Sequence, residues 1–326
     1  MNLKQLSSIT GYSLATVSKA FSGSNEISKE TKDVIIKKAK ELGIYEKYNK
    51  QKYQKMVIAI LCPEIESAYY TDILSYFHKI LAEKGCVATV SVTNFSASQE
   101  AELISFYSSN GKADGIIVID AISKSKKYSE IPIVYLNAND DASEHVDCIN
   151  VDFNFGIEQA INHLKENGHQ KIGYIGESLT MDKYDAFIKA MNKHNLLINP
   201  EFVVIEKNRF EDAGYNGFKK LWDKNNLPTA IFCAYDYIAL GVIDFLEEKQ
   251  KKVPDDLSII GSDDIQIASY RKIDLSSIKA NVKSICEISL SILLKKIKNP
   301  SYKVLQNVTV KSEFVQRNSV KNLNQN

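Results

Sequence analysis

Residues 13 to 31, SLATVSKAFSGSNEISKET, concentrate side chains suited to gripping a polyanion. Ser13, Thr16, Ser18, Ser28 and Thr31 put hydroxyls near two expected helix starts, where free backbone N–H groups and the positive dipole end already favour phosphate. Lys19 can reach a guanine edge or a phosphate, and Leu14 and Ala15 can meet thymine methyl groups. Any one of these serines alone reads as an ordinary helix cap. Their weight comes from their arrangement.

The elements that would position them follow from periodicity. LKQLSSIT reads as a short helix with Leu3, Leu6 and Ile9 on one face, interrupted by Gly11 and Tyr12. Ser13 caps a second helix, SLATVSKAF, whose buried side is Leu14 or Ala15 with Val17, Ala20 and Phe21. After the loop SGSNE, Ser28 caps a third, KETKDVIIKKAKELG, ended by Gly43. Two short helices joined by a glycine-containing turn and braced by a third form a helix-turn-helix, whose second helix enters the major groove. Charge agrees: residues 1–55 hold eleven lysines and five acids, a net +6, while the remainder carries −5. A basic head on a mildly acidic body suits a nucleic-acid-binding module fused to another function.

The remainder alternates strand and helix. MVIAILC, VATVSV, ADGIIVID and IPIVYLN, then KIGYIG, FVVIE, AIFCAY and LSIIGSDD, are short β-branched runs separated by amphipathic helices such as YTDILSYFHKILAEKG. This is α/β patterning, and some 260 residues of it imply two parallel sheets flanked by helices. Ligands of such sheets sit at the carboxyl ends of the strands. Those ends are Pro63 to Tyr70, Asp120, Asn137, Asp152, Gly176 to Lys183, Tyr235 with Asp236, and Ser262 to Asp264. Rings and carboxylates dominate, which suits a sugar or nucleoside-like ligand. No phosphate-binding glycine loop occurs, and His163 and His169 are not spaced to share a metal on one helical face. The five cysteines, mostly within apolar runs, read as buried free thiols. Trp222 continues a helix face, and NSVKNLNQN, residues 318–326, reads as a frayed tail.

GYSLATVSKAFSGSNEISKETKDVIIKKAKELGI resembles the headpiece of the lactose repressor (LacI/GalR) family. VDFNFGIEQAINHLKENGHQKIGYIG, TAIFCAYDYIALGVIDFLEEKQKKVPDDLSIIGSDDI and EFVQRNS extend the likeness over nearly the whole chain. The resemblance implies a three-helix DNA-binding head at 1–45, a linker or atypical hinge at 46–55, and a two-lobed periplasmic-binding-protein-like body. Its first lobe is expected at 56–154 with 280–305, its second at 155–279 with 306–320. It implies base contacts from Leu14, Ala15 and Lys19, and phosphate contacts from Ser13, Thr16, Ser18, Ser28 and Thr31. Tyr69, Tyr70, Asp152, Lys183, Phe210, Tyr235 and Asp263 become the effector set, with Lys183 where the family usually has an arginine. Tyr235, Phe153 and Ala280 each replace a polar residue of the family wording, so a flatter, more apolar ligand or a modified sugar is expected.

These readings lead to a cytoplasmic, homodimeric transcription regulator, a repressor that binds near-palindromic double-stranded DNA under control of a sugar-like effector. No membrane span, metal, cofactor or catalytic residue is expected. A sugar-binding protein of periplasmic type is the alternative, since it shares the two-lobed body. The linker EKYNKQKYQKMV lacks the family's hinge leucine, leaving Tyr53 or Met56 as the only apolar wedge. Its lysines, Lys47, Lys50, Lys52 and Lys55, can still neutralise phosphates. Replacing all four by glutamine should flatten the slope of log affinity against log salt by about 0.9 for each phosphate they neutralise, measured by anisotropy of labelled DNA; an unchanged slope would make the segment a tether.

Overall fold

Helix α1, Leu3–Thr10, opens on a reciprocal capping box: the Asn2 N–H donates to Gln5 Oε1 at 2.8 Å and the Gln5 N–H to Asn2 Oδ1 at 2.9 Å. Gly11 ends it at φ 75°, in the left-handed region, and its N–H reaches the Ser7 carbonyl at 3.0 Å. Helices α2, Leu14–Ser22, and α3, Lys29–Glu41, pack with α1 around Leu6, Val17, Ala20, Phe21, Ile35 and Ala39. Ile9 stays 47% exposed on α1, and Leu14 48% exposed because α2 turns Val17, Ala20 and Phe21 inward and leaves its first turn to solvent. A further turn, α4, Tyr45–Tyr48, sets two rings near Phe21, centroids 6.2 and 6.1 Å away. The head core therefore extends to Tyr48 rather than stopping at 45: so small a core gains from two more aromatic rings.

The computed structural model describes residues 2–22, 26–48, 55–109, 112–121, 131–137, 146–224, 226–266 and 274–324. It divides into two units, Met1–Met56 and Val57–Asn326. Of the linker, Lys50, Lys52, Tyr53 and the side chain of Lys47 lie outside the described residues, whereas Lys55 is exposed and Met56 half-buried.

The second unit holds two six-stranded sheets. The first contains β1 (Val57–Cys62), β2 (Val87–Val92), β3 (Gly115–Ile119), β4 (Ile133–Leu136), β5 (Asp147–Asp152) and β11 (Asn307–Lys311). The second contains β6 (Ile172–Glu177), β7 (Val203–Glu206), β8 (Ala230–Cys233), β9 (Ser258–Ser262), β10 (Ser276–Lys279) and β12 (Glu313–Val315). Their orders are β11-β5-β4-β3-β1-β2 and β12-β10-β9-β8-β6-β7, parallel throughout except for the antiparallel β10–β12 pair. In each, the second strand lies outside the first and the third on its other side, so both carry a switch point beside the first strand. The central strands are continuous apolar runs because helices cover both faces.

Four strands escape the apolar pattern. In β10, Ser276 and Ser277 are fully buried and hydrogen-bonded, Ser277 Oγ donating to Asp236 Oδ1 at 2.6 Å. β5, DCINVD, mixes polar and apolar residues, and β11 and β12 are short edge strands. β11 also corrects a boundary: residues 307–311, expected in the second lobe, pair in parallel with β5 of the first. The chain thus passes between sheets near 152/153, 280/281 and Ser312. Ser312 joins the first and last crossings, its N–H and Oγ–H donating to the Asp152 carbonyl at 3.2 and 2.7 Å while Oγ accepts the Gly156 N–H at 3.1 Å.

The C-terminal tail is docked rather than frayed. Ser319 is fully buried, its Oγ accepting the Ser276 N–H at 2.8 Å and donating to the Ile259 carbonyl at 2.5 Å, and the Lys321 N–H reaches Ser258 Oγ at 2.9 Å. Polar composition hid a segment whose polar groups are consumed by the sheet.

Helices Phe210–Trp222 and Asp236–Glu248 approach at reciprocal glycines. A Cβ on Gly214 would lie 1.9 Å from the Ile238 carbonyl oxygen, and one on Gly241 1.9 Å from that of Glu211. Gly241→Ala should force the pair apart and destabilise the second unit by about 1–3 kcal/mol, read as a lower urea midpoint; an unchanged midpoint would show that the helices slide without cost.

Candidate functional site

Two surfaces collect the expected residues. On the head, Ser13, Leu14, Ala15, Ser18 and Ser28 are exposed and Thr16, Lys19 and Thr31 half-buried. The hydroxyls work first as caps. Ser13 Oγ accepts the Thr16 N–H at 3.1 Å and lies 2.8 Å from Thr16 Oγ1; Ser28 Oγ accepts the Thr31 N–H at 3.2 Å and donates to Thr31 Oγ1 at 3.0 Å. That geometry leaves the Thr31 hydroxyl proton free to point outward. Lys19 is ion-paired with Glu26, whose carboxyl it holds below its ordinary range by a hydrogen bond and by charge. This exposed pair is readily exchanged for another anion. Leu14, 48% exposed, and Ala15, also exposed, are apolar groups at the start of α2 that lie outside the head's core among the described residues.

In the second unit, a cavity of about 710 Å³ lies at the carboxyl ends of both sheets, a volume suited to a small ligand. Tyr69, Tyr70, Asp152, Lys183, Phe210, Tyr235 and Asp263 all line it. So do Glu64, Phe95, Asp120, Asn137, Glu177 and Arg209.

Each switch point is closed by a tyrosine hydroxyl on a carboxylate. Beside β1 and β3, Tyr70 OH donates to Asp120 Oδ2 at 2.6 Å; beside β6 and β8, Tyr235 OH donates to Glu177 Oε1 at 2.8 Å and accepts the Phe210 N–H at 2.9 Å. Asn137 supports the first, giving Nδ2–H to Asp120 Oδ1 at 2.8 Å and accepting the Val151 N–H at 2.9 Å. Burial pushes Asp120 above the usual carboxylate range against the pull of these two donors, and desolvation raises Tyr69, Tyr70 and Tyr235.

Lys183 Nζ donates to Asp263 Oδ1 at 2.8 Å and Ser262 Oγ at 3.2 Å, and sits 4.8 Å from the Phe153 ring centroid. Arg209 reaches across the cleft. Its Nη1 and Nη2 grip Glu64 at 2.5 and 3.0 Å, and its Nε lies 3.2 Å from Glu177. Glu64 follows β1 in the first lobe, while Arg209 and Glu177 belong to the second. Phe95 and Phe210 flank the guanidinium at 5.4 and 4.6 Å, and both adopt left-handed backbone, φ 54° and 57°. Such φ values cost a phenylalanine about 1 kcal/mol or more. Asp120, Asn137 and Asp263 share the positive-φ feature at 48°, 50° and 100°.

The strand-end rule had reached Glu64, Asp120, Asn137 and Glu177 as positions, though not as part of the effector set. Arg209 and Phe95 lie three residues beyond the ends of β7 and β2, past the residues it picked out. The neighbour Phe210 was the available signal. Among the described residues no histidine or cysteine lines the cavity, and no group of His, Cys, Asp and Glu is placed to hold a metal.

Residues 161–320 match the periplasmic binding protein-like domain family. Over 98% of this chain and 99% of the relative, 28% of residues are identical to the HTH-type transcriptional repressor PurR of Haemophilus influenzae. Two solved structures share the fold. One is a lac repressor dimer bound to operator and the anti-inducer ONPF, at 18% identity and TM-score 0.71, covering 98% of this chain and 99% of that one. The other is a LacI family transcriptional regulator from Enterococcus faecium with bound ribose, at 23% identity and TM-score 0.70, covering 82% and 99%.

Tyr235→Phe should cost the second unit about 1–3 kcal/mol, because it strips a donor from the buried Glu177 carboxylate and the acceptor from the Phe210 N–H. Denaturant unfolding of full-length protein measures this; a midpoint equal to wild type would mean that neither group depends on the hydroxyl.

Proposed function

We infer the function from one premise: the chain belongs to the lactose repressor (LacI/GalR) family. It is a DNA-binding transcription regulator, a repressor controlled by a small-molecule effector. One observation carries this reading: a helix-turn-helix with an uncovered second-helix start and a polar, ring-lined cleft occur in one chain aligned end to end with a repressor. The periplasmic alternative gives no role to the head.

On this reading α2 lies in the major groove. Leu14, Ala15 and Lys19 meet bases, and the capped starts of α2 and α3 meet phosphates through Ser13, Thr16, Ser18, Ser28 and Thr31. Lysine at 19 contacts guanine as a point charge, without the bidentate fork of an arginine. The head spans 1–48, and the lobes are built on the two sheets. A homodimer pairs two heads on a near-palindromic operator, as the operator-bound relative is itself a dimer. The effector is a sugar or sugar derivative, supported by the ribose-bound relative and by the carboxylates and rings of the cleft. It binds among Tyr69, Tyr70, Asp152, Lys183, Phe210, Tyr235 and Asp263 and acts by favouring one lobe arrangement, since a ligand shifts only an equilibrium between states it binds unequally. No helix of the described residues is long and apolar enough to cross a membrane. We place the protein in the cytoplasm, without enzymatic activity.

Operator affinity separates the two surfaces. Lys19→Ala should weaken effector-free DNA binding by roughly tenfold, about 1.4 kcal/mol. Asp263→Ala should leave that affinity intact and abolish the effector response. Equal affinity of Lys19→Ala and wild type would overturn the head assignment.

A further inference from the structure

Resting on the reading of the cleft as the effector site, we propose that Glu64 is a specificity-determining residue that closes this site to anions, so that the effector is uncharged or cationic and phosphate esters and carboxylates are refused.

The charges of the cavity wall set the problem. Among the described residues six carboxylates line it, on Glu64, Asp120, Asp152, Glu177, Asp182 and Asp263, against two cations, Lys183 and Arg209. Of the described residues, these are the cations an anionic ligand could pair with, and both are committed. Lys183 is held by Asp263 and Ser262. Arg209 offers Glu64 its terminal nitrogens in the fork-to-fork geometry that a phosphate or carboxylate would otherwise take, and gives Nε to Glu177. Phe95 and Phe210 flank the guanidinium. The Arg209 side chain is 30% exposed to the cavity, so what withholds it from a ligand anion is the carboxylate already in its fork.

Displacing Glu64 carries its own penalty. Its side chain is only 10% exposed, so a ligand that took Arg209 away would strand a nearly buried carboxylate in a wall already rich in negative charge. A hydroxyl-bearing neutral ligand meets the opposite situation: a carboxylate that already holds one donor keeps lone pairs for a ligand O–H, and no charge has to be exchanged. The pair also spans the lobes, so an anion would have to break a contact that holds the cleft together before it could use the guanidinium.

The experiment compares full-length wild type, Glu64→Gln, Arg209→Gln and the double variant. Melting temperature is followed with ribose 5-phosphate or glucuronate, and with ribose or glucose as their uncharged counterparts. The readout is the part of each anion's shift that disappears when Arg209 is replaced, which cancels binding to the basic head. In wild type that part should be zero. Glu64→Gln keeps the shape, frees the guanidinium, and should gain at least about tenfold in anion affinity, a readable melting shift. Glu64→Ala provides a second release of Arg209 should the amide re-pair with it, and circular dichroism checks that every variant is folded. An Arg209-dependent anion shift in wild type overturns the proposal, as does its absence from both Glu64 variants. DNA binding measured on the same samples tests the regulator reading separately, so the two failures are distinguishable.

Discussion

A parallel sheet obliges the chain to return to the same edge after every strand, so the segments that follow the strands gather at one end. The second unit meets that obligation in each of its two sheets, and nearly everything chemical in it follows. Glu64, Phe95, Asp120 and Asn137 leave one set of strands; Glu177, Arg209, Tyr235 and Asp263 leave or end the other. Residues remote in sequence become neighbours because topology allows their loops no other place. Tyr70 with Asp120 and Tyr235 with Glu177 are the same solution at the two switch points, a phenol donated to a carboxylate that burial would otherwise leave short of donors.

Enclosing carboxylates raises a second constraint, because a desolvated charge must find donors. Asp120 uses two neutral donors and stays displaced above its ordinary range. Glu177 shares a guanidinium and a phenol, Asp263 an ammonium group. The side chains that give the wall its polarity are the same ones that hold one another in place, so contacts within the protein shape the cleft. Left-handed backbone at Phe95 and Phe210 belongs to this arrangement: local strain is tolerated where two rings flank Arg209.

The head, the alternation of strand and helix, and most of the cleft were legible in the sequence because each rests on a local pattern. Caps announce themselves by residue type and spacing, as Ser13 and Ser28 do, and buried parallel strands by uninterrupted β-branched runs. What escaped depends on partners far away in the chain. β10 reads as polar because its serines are satisfied by Asp236 and Ser319, and the tail around Ser319 reads as loose for the mirror-image reason. β11 was placed in the wrong lobe because sheet membership is decided by pairing with β5, on which residues 307–311 are silent. Arg209 was missed since its importance comes from Glu64, 145 positions earlier in the sequence.

The stitch at Ser312 sets what the two lobes can do. Three passages of chain lie between the sheets, and two of them are tied to each other through one serine and the Asp152 carbonyl. Points fastened in this way resist sliding and twisting, leaving bending about the line of the passages as the soft coordinate. On the reading of the cleft as an effector site, a body with one soft coordinate can transmit a position along it and little else, a message reduced to how far a door stands open.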